Sequence, residues 1–245
     1  MVAVIALVVA AFLAAVAAFH WWAWRRLVAD ALPRGSVWRR VATGTLVAGP
    51  LLMVAAPLTE FAGAPYWLVR VVSWPGFLWM AVCVYLLAGE VVRPLLRRLL
   101  ARRDTGPVPP QTAVTRRVFV SRVVGGATVA AVAGTVGYGV HSLFSGPRVL
   151  DVTVPLVKLP PGADGFRIAV VSDIHAGPLL GRGFTRHVVD TINATSPDLV
   201  AVVGDLVDGD VEDLAPAVAP LAGLRSRHGT FFVTGNHEYL SGAGQ

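Results

Sequence analysis

The sequence predicts two parts, a bundle of four membrane-spanning helices over residues 1–147 and an α/β domain with a parallel sheet over residues 148–245. Two observations predict the bundle. Hydrophobic residues make up 55% of the chain and charged residues only 15%, whereas soluble domains carry about 25% charged residues, and four long segments contain no charge at all. A third observation predicts the domain, because runs of β-branched residues alternate with helical patterns after residue 148, as in parallel sheets.

The four charge-free segments cover residues 1–24, 41–59, 71–89 and 123–147. Each has about the 20 mainly apolar residues that a helix needs to cross a hydrocarbon core of roughly 30 Å. We therefore predict transmembrane helices at about 2–24, 41–59, 71–89 and 123–144. A cleaved signal peptide is the alternative for the first segment. That segment lacks a positively charged start and exceeds the usual apolar length of about 7–15 residues, so we favour a retained helix.

Two segments, 25–40 and 90–122, hold most of the Lys and Arg residues. Loops rich in these residues stay on the cytoplasmic side, so an even number of spans predicts a cell-membrane protein whose last domain is extracytoplasmic. The net charge of +6 is then a topology signal, and we expect no nucleic-acid partner. His20 lies among Trp21, Trp22 and Trp24, which predicts a place in an interfacial aromatic belt.

Arg116-Arg117 precedes the fourth apolar segment and resembles a twin-arginine export signal. Ordinary positive charge beside a membrane span explains the pair equally well, and the sequence leaves both interpretations open. Glycine and prolines in the 104–113 stretch predict a loop on the inner side of the membrane.

The predicted domain begins with Leu150, Val152 and Val154 alternating with polar residues, which predicts a strand. Three further runs predict strands at 166–172, 199–204 and 230–234. Between them, two segments show apolar residues at spacings of three and four, the mark of amphipathic helices. A strand-helix-strand-helix-strand order predicts a parallel sheet with right-handed crossovers.

Each of the three runs ends in polar side chains suited to metal binding, and successive clusters are about one βαβ unit apart. The carboxyl ends of parallel strands form one edge, where ligands bind in open α/β sheets. Carboxylates brought together there repel one another, and a bound cation relieves that repulsion. Oxygen and imidazole donors without thiolate favour manganese, iron or zinc. The clustered residues are Asp173, His175, Asp205, Asp208, Asn236 and His237.

Read as motifs, these clusters are Asp-x-His, Gly-Asp-x-x-Asp and Gly-Asn-His-Glu, in that order. Together they resemble the signature of the calcineurin-like metallophosphoesterase family, and the segment ahead of them is similar to that of membrane-attached bacterial members. The resemblance covers about residues 150–245. It implies an α/β metallophosphoesterase-like domain, an incomplete β sandwich flanked by helices.

The resemblance also implies a binuclear site with two divalent metal ions. Asp173 and His175 would bind one ion, Asp205 would bridge both, and Asn236 would bind the second. His237 would face the phosphate as an acid or transition-state stabiliser.

Asp208 would hold the His237 imidazole in place. The implied activity is hydrolysis of phosphomonoesters or phosphodiesters through a metal-bridging hydroxide, with lipid or envelope-derived phosphoesters as expected substrates because the bilayer lies close by.

The chain departs from the family pattern after His237. Family members continue to a further histidine and a Gly-His-x-His block, so we expect a C-terminally truncated domain. The alternative function is a membrane-anchored binding or scaffold protein that keeps the fold without turnover. A transporter finds no support, because the four charge-free segments offer no ionisable Asp, Glu, Lys or Arg as an ion pathway would.

Overall fold

The computed structural model describes residues 1–101 and 110–242 of the 245-residue chain. The chain divides into two compact units, Met1–Gly139 and Val140–Gln245. The first holds the long apolar helices and the second holds the sheet.

The first unit consists of long helices with short connections. Helix α1 spans Val2–Trp24 and continues as one π-helical turn, Arg25–Ala29; α2 spans Val37–Phe61, α3 Tyr66–Ala101 and α4 Pro110–Phe144. Within the described residues, four helical segments are long and apolar enough to cross a membrane: Val2–Ala29, Val37–Phe61, Tyr66–Val91 and Val123–Phe144. The prediction of four such helices is confirmed.

The basic segments predicted as loops are mostly helical. Helix α3 runs on to Ala101, and α4 already begins at Pro110. The predicted loop at 104–113 is therefore wrong for residues 110–113, while residues 104–109 lie outside the described part of the chain. A helix satisfies its own backbone beyond the hydrocarbon as well as within it, and proline is favoured at a first helical position. Arg116-Arg117 lies inside α4.

Polar contacts join the apolar helices. Ser73 is wholly buried and its hydroxyl donates to Glu60 across the α2–α3 pair at 3.3 Å. At the other end of α3, Glu90 pairs with Arg26 of the π-helical turn at 3.3 Å. These polar contacts join α2 to α3 and α3 to the π-helical turn, and interhelical hydrogen bonds of this kind help to hold helices together in a membrane.

His20, for which an interfacial position is predicted, makes its contacts within the helix bundle. Its side chain is buried, and its Nε2 accepts a hydrogen bond from the Trp79 indole N–H at 2.9 Å. Nδ1 lies 2.7 Å from the Val16 carbonyl oxygen. An imidazole inside an apolar bundle must satisfy both nitrogens locally. Val16 of the same helix and Trp79 of α3 meet that demand.

The second unit is a two-layer fragment of α/β type. Strands β1 (Ile168–Val171), β2 (Leu199–Val203) and β3 (Thr230–Val233) form one parallel sheet in the order β1-β2-β3. Helix α5 (Arg182–Ala194) connects the first two strands, and α6 (Val211–Val218) with a 3₁₀ turn (Ala219–Gly223) connects the next two. Helix α7 (Asn236–Leu240) follows β3, and a short 3₁₀ turn (Pro161–Ala163) precedes β1. The predicted fold class is confirmed.

The strand predicted around residues 150–154 does not form. Residues 149–157 are exposed, with Val157 wholly so, and none of the described strands pairs with them. A strand is stable only when a neighbour supplies the ladder of hydrogen bonds. The alternation of apolar and polar residues therefore predicted a strand wrongly at 150–154.

One face of the sheet carries the core. Val200 and Val202 of β2 are buried against Val188 and Ile192 of α5, with Leu221 among the side chains packed around them. On the opposite face the side chains are exposed, including Val170 at 68% and Phe231 and Val233 at 57% each. Since β-strand side chains alternate between faces, helices cover only one side of the described sheet.

Candidate metal centre

The three parallel strands deliver the predicted polar clusters to one edge. Val171 of β1 is in register with Val202, and Val203 of β2 with Val233. Main-chain bonds continue past the strand ends, because the His175 N–H donates to the Asp205 carbonyl at 3.0 Å and the Ala176 N–H to the Leu206 carbonyl at 2.8 Å. The loops after β1 and β2 are thereby held side by side.

Three of the clustered residues have left-handed backbone conformations. The φ angles are 57° at Asp173, 47° at His175 and 51° at Asp205. Such conformations cost about 1–3 kcal/mol for side chains other than glycine, and they persist where surrounding structure imposes them. They turn each loop sharply, so residues two apart after a strand can point toward the same space.

Asp208 hydrogen-bonds to two imidazoles with one oxygen atom. Its Oδ1 lies 3.0 Å from Nδ1 of His175 and 2.6 Å from Nδ1 of His237. Because a carboxylate can only accept, each Nδ1 must carry the proton, which leaves the Nε2 of a neutral ring with a free lone pair. The two rings meet edge to face with centroids 4.6 Å apart. Asp208 therefore fixes both rings so that their Nε2 atoms are available.

His175, Asp205 and His237 place ligand atoms within 4.8 Å of one another. Asp173 lies beside this group, with its Oδ1 3.8 Å from Nε2 of His175. Its other carboxylate oxygen accepts from the Ser172 hydroxyl. Asn236 begins α7 with an exposed side chain, and none of the described residues bonds to its amide. The structure thus gathers five of the six predicted residues through direct contacts, while the side-chain amide of Asn236 is exposed and has no hydrogen bond to a described residue.

Glu238 binds the loop after β2 to the start of α7. The side chain is 6% exposed. One carboxylate oxygen accepts from the N–H groups of Asp205 at 3.0 Å and Gly235 at 2.6 Å, and the other from those of Leu206 at 2.6 Å and Val207 at 3.3 Å. Four donors on one buried carboxylate make this group a clamp between the second and third clusters.

Two glycines allow that clamp to close. Gly204 has a φ of +65°, and a Cβ there would lie 2.8 Å from the Gly235 Cα. A Cβ on Gly235 would overlap the Asp205 carboxylate. The Asp205 carboxylate in turn accepts the His237 backbone N–H at 3.0 Å. Only hydrogen fits at these two positions, because the backbones approach too closely for a side chain.

The charges around the site shift two pKa values in opposite directions. The hydrogen bond to Asp208 raises the pKa of His175, and the charges of Asp208, Asp205 and Asp173 add to this effect while burial opposes it. Burial raises the pKa of Glu238, but the four backbone N–H donors outweigh burial and leave that pKa below its usual value. Glu238 is therefore an anion whose charge is met by main-chain dipoles.

Comparison with known proteins identifies the family of this segment. Residues 166–244 match the family described as calcineurin-like phosphoesterase. This match begins just before β1 and covers all three clusters. The second unit carries a calcineurin-like phosphoesterase domain.

Relatives of the phosphoesterase domain include membrane proteins. A zebrafish (Danio rerio) protein named "Transmembrane protein with metallophosphoesterase domain" is 41% identical over 42% of this chain, and a cattle (Bos taurus) protein of the same name is 50% identical over 39%. The Bacillus subtilis metallophosphoesterase YkuE is 30% identical over 51% of this chain. The matched segments span 24%, 21% and 46% of those proteins, respectively. No solved structure matches the chain significantly.

The donor set of the phosphoesterase domain fits a divalent metal. It combines carboxylate oxygens with imidazole nitrogens, without any thiolate among the described residues near it, and such sets suit manganese, iron or zinc. Each candidate imidazole has its other nitrogen held by a carboxylate, the arrangement in which a histidine is a good ligand. The domain therefore has the chemistry of a metal site.

Sequence reasoning missed two contacts. It assigned Asp208 to His237 alone, whereas the structure places the same oxygen against His175 as well. It also gave Glu238 no defined role. A signal for Glu238 was present, since an acid three residues after the residue preceding a helix commonly reaches back to that residue's N–H, as Glu238 does to Gly235.

Proposed function

We propose that this chain is a membrane-anchored, metal-dependent phosphoesterase that hydrolyses phosphomonoesters or phosphodiesters outside the cytoplasm. The observation that carries the proposal is the double hydrogen bond of Asp208, which prepares two imidazoles beside the carboxylates of Asp173 and Asp205. A surface cluster without a chemical role has no need of two such oriented rings.

In this proposal Asp173, His175 and Asp205 would hold one ion, and Asp205 and the side-chain oxygen of Asn236 would hold a second. Bound divalent ions lower the pKa of a water molecule and neutralise the charge of a phosphoryl group. The Asn236 side chain is exposed and is therefore accessible to a phosphoester from solvent.

His237 acts on the substrate in this proposal. Asp208 keeps one proton on Nδ1 of the ring, so Nε2 is the atom that faces a phosphoryl or leaving-group oxygen. Nε2 donates a proton to that oxygen when the ring carries a second proton. Positioning and charge neutralisation supply most of the rate enhancement in phosphoryl transfer. The Glu238 clamp serves that positioning by fixing the backbones of Asp205 and Gly235, and the Asp205 carboxylate in turn accepts the backbone N–H of His237.

The activity test uses the full chain in mild detergent with manganese, iron or zinc. Hydrolysis of 4-nitrophenyl phosphate and bis(4-nitrophenyl) phosphate distinguishes monoesters from diesters, and bound metal is counted by mass spectrometry. Asp205→Asn should abolish both turnover and metal binding, whereas the exposed helical Asp190→Asn should change neither. Metal binding without hydrolysis of either ester would favour a non-catalytic binding protein, and hydrolysis that survives Asp205→Asn would refute the enzyme proposal.

The location of the domain is tested separately. The basic segments at 25–40 and 90–122 support an extracytoplasmic domain. In a Cys83→Ala background, a cysteine introduced at exposed Lys158 should react with a membrane-impermeant maleimide in intact cells. A cysteine introduced at Arg34 should react only after the cells are broken. The reverse pattern would place the domain inside.

A further inference from the structure

A groove lies between α1 and α2 in the first unit. Its volume is about 380 Å³, and it is lined by Ala17, His20, Trp21, Trp24, Thr43, Leu46, Val47, Pro50 and Leu51. The α1 residues recur at spacings of three and four, as do those of α2, so one face of each helix forms a wall. Thr43 and Leu51 are about two turns apart, which makes the groove about 12 Å long.

The polar atoms of the groove bond to the protein itself. The Trp24 indole N–H donates to the Thr43 hydroxyl at 2.9 Å, and that hydroxyl donates to the Arg39 carbonyl at 2.7 Å. His20 has its two nitrogens engaged by Trp79 and Val16. These three lining side chains therefore offer no vacant hydrogen-bonding atom to water, and the groove favours a hydrocarbon occupant.

One end of the groove is basic. The Arg25 guanidinium lies 5.1 Å from the ring centroid of Trp21, and that of Arg39 lies 5.5 Å from the ring centroid of Trp24. Both rings line the groove. Within the described residues neither arginine pairs with a carboxylate, whereas the neighbouring Arg26 is neutralised by Glu90. The positive charges of Arg25 and Arg39 thus lie at one end of the apolar groove.

We propose that this groove retains one anionic glycerophospholipid, with an acyl chain between α1 and α2 and the phosphate beside Arg25 and Arg39. The apolar walls select a hydrocarbon chain, and charge complementarity selects an anionic headgroup over a zwitterionic one. The tryptophan rings suit the boundary between the two parts of the lipid. This site is independent of the phosphoesterase proposal, since none of its residues belongs to the domain.

The test measures lipids that stay with the purified full chain. The chain is reconstituted in phosphatidylcholine vesicles with or without phosphatidylglycerol, extracted in mild detergent and analysed by native mass spectrometry. We expect phosphatidylglycerol to be retained over phosphatidylcholine. Arg25→Gln should weaken that retention about fivefold, the effect of one basic residue near an anionic surface. Arg70→Gln, an exposed arginine of α3 outside the groove, is the matched control.

A second variant tests the acyl-chain part. Ala17→Phe fills the groove from α1 and should abolish retention, while Ala14→Phe on the exposed surface of α1 should not. Circular dichroism verifies that each variant keeps its helices. Equal retention of both lipids, equal behaviour of Arg25→Gln and Arg70→Gln, or full retention in a folded Ala17→Phe variant would each overturn the proposal.

Discussion

Replacing Glu238 by Gln tests whether one buried carboxylate holds the site together. Each oxygen of Glu238 accepts two backbone N–H groups. Glutamine keeps one accepting oxygen and places an NH₂ group at the other position, where it meets two donors. Two buried N–H groups lose their partner whichever way the amide turns.

The expected cost follows from that count. An unsatisfied buried donor costs about 1–3 kcal/mol, so two cost about 2–6 kcal/mol. Domains are stable by only about 5–15 kcal/mol, so this loss is large. The lost stability affects the loop that carries Asp205 and the start of α7.

Hydrogen exchange followed by mass spectrometry measures the effect at the affected amides. In Glu238→Gln, exchange in peptides that cover 205–207 and 235 should speed up by about thirtyfold or more, the equivalent of 2 kcal/mol of lost local stability. Glu212→Gln, in the exposed first turn of α6, serves as the control and should leave those peptides unchanged. Unchanged exchange in Glu238→Gln would refute the clamp.

Four further predictions concern the metal site itself. Asp208→Ala should lower both metal affinity and turnover, because alanine has no oxygen to accept from either Nδ1 atom; a loss of turnover with normal metal content would contradict this. His237→Gln should lower kcat by about 10²–10⁴-fold while mass spectrometry still finds the wild-type metal content, and loss of the metal would make His237 a ligand instead. Metal binding followed by calorimetry should weaken as the pH falls through the raised pKa of His175, at a higher pH than for an ordinary histidine, since only the neutral ring binds metal. Gly235→Ala should reduce metal affinity because its Cβ overlaps the Asp205 carboxylate, and unchanged titration curves would contradict that close approach.

Much of the fold could be predicted because local patterns and tertiary structure agree. The β-branched runs at 199–203 and 230–233 lie in strands, and the stripe that includes Val188 and Ile192 faces the core. The pattern at 150–154 misled because alternation reports which side chains share a face, while strand formation requires a paired neighbour. The prediction of a loop over 104–113 was wrong from Pro110 onward, because proline breaks the interior of a helix but is tolerated in its first turn.

The site was predictable in its membership and less so in its contacts. Parallel topology brings Asp173 and Asp205 to one edge whatever their side chains do. The spacing of residues along the sequence cannot predict the hydrogen bond between Asp208 and His175. That contact depends on the left-handed backbone conformations at Asp173 and His175. The hydrogen bond to His20 was likewise not predictable, since its donor Trp79 lies on another helix.

The shared oxygen of Asp208 bears on how such a domain can diverge. A substitution at position 208 changes the orientation of the His175 and His237 rings together. The orientation of one ring therefore cannot be changed alone by a substitution at this position. Descendants that explore a new metal or a new ester would keep this aspartate and vary the surrounding loops instead. Position 208 should accordingly tolerate fewer substitutions in a mutational library selected for turnover than the exposed helical Asp190.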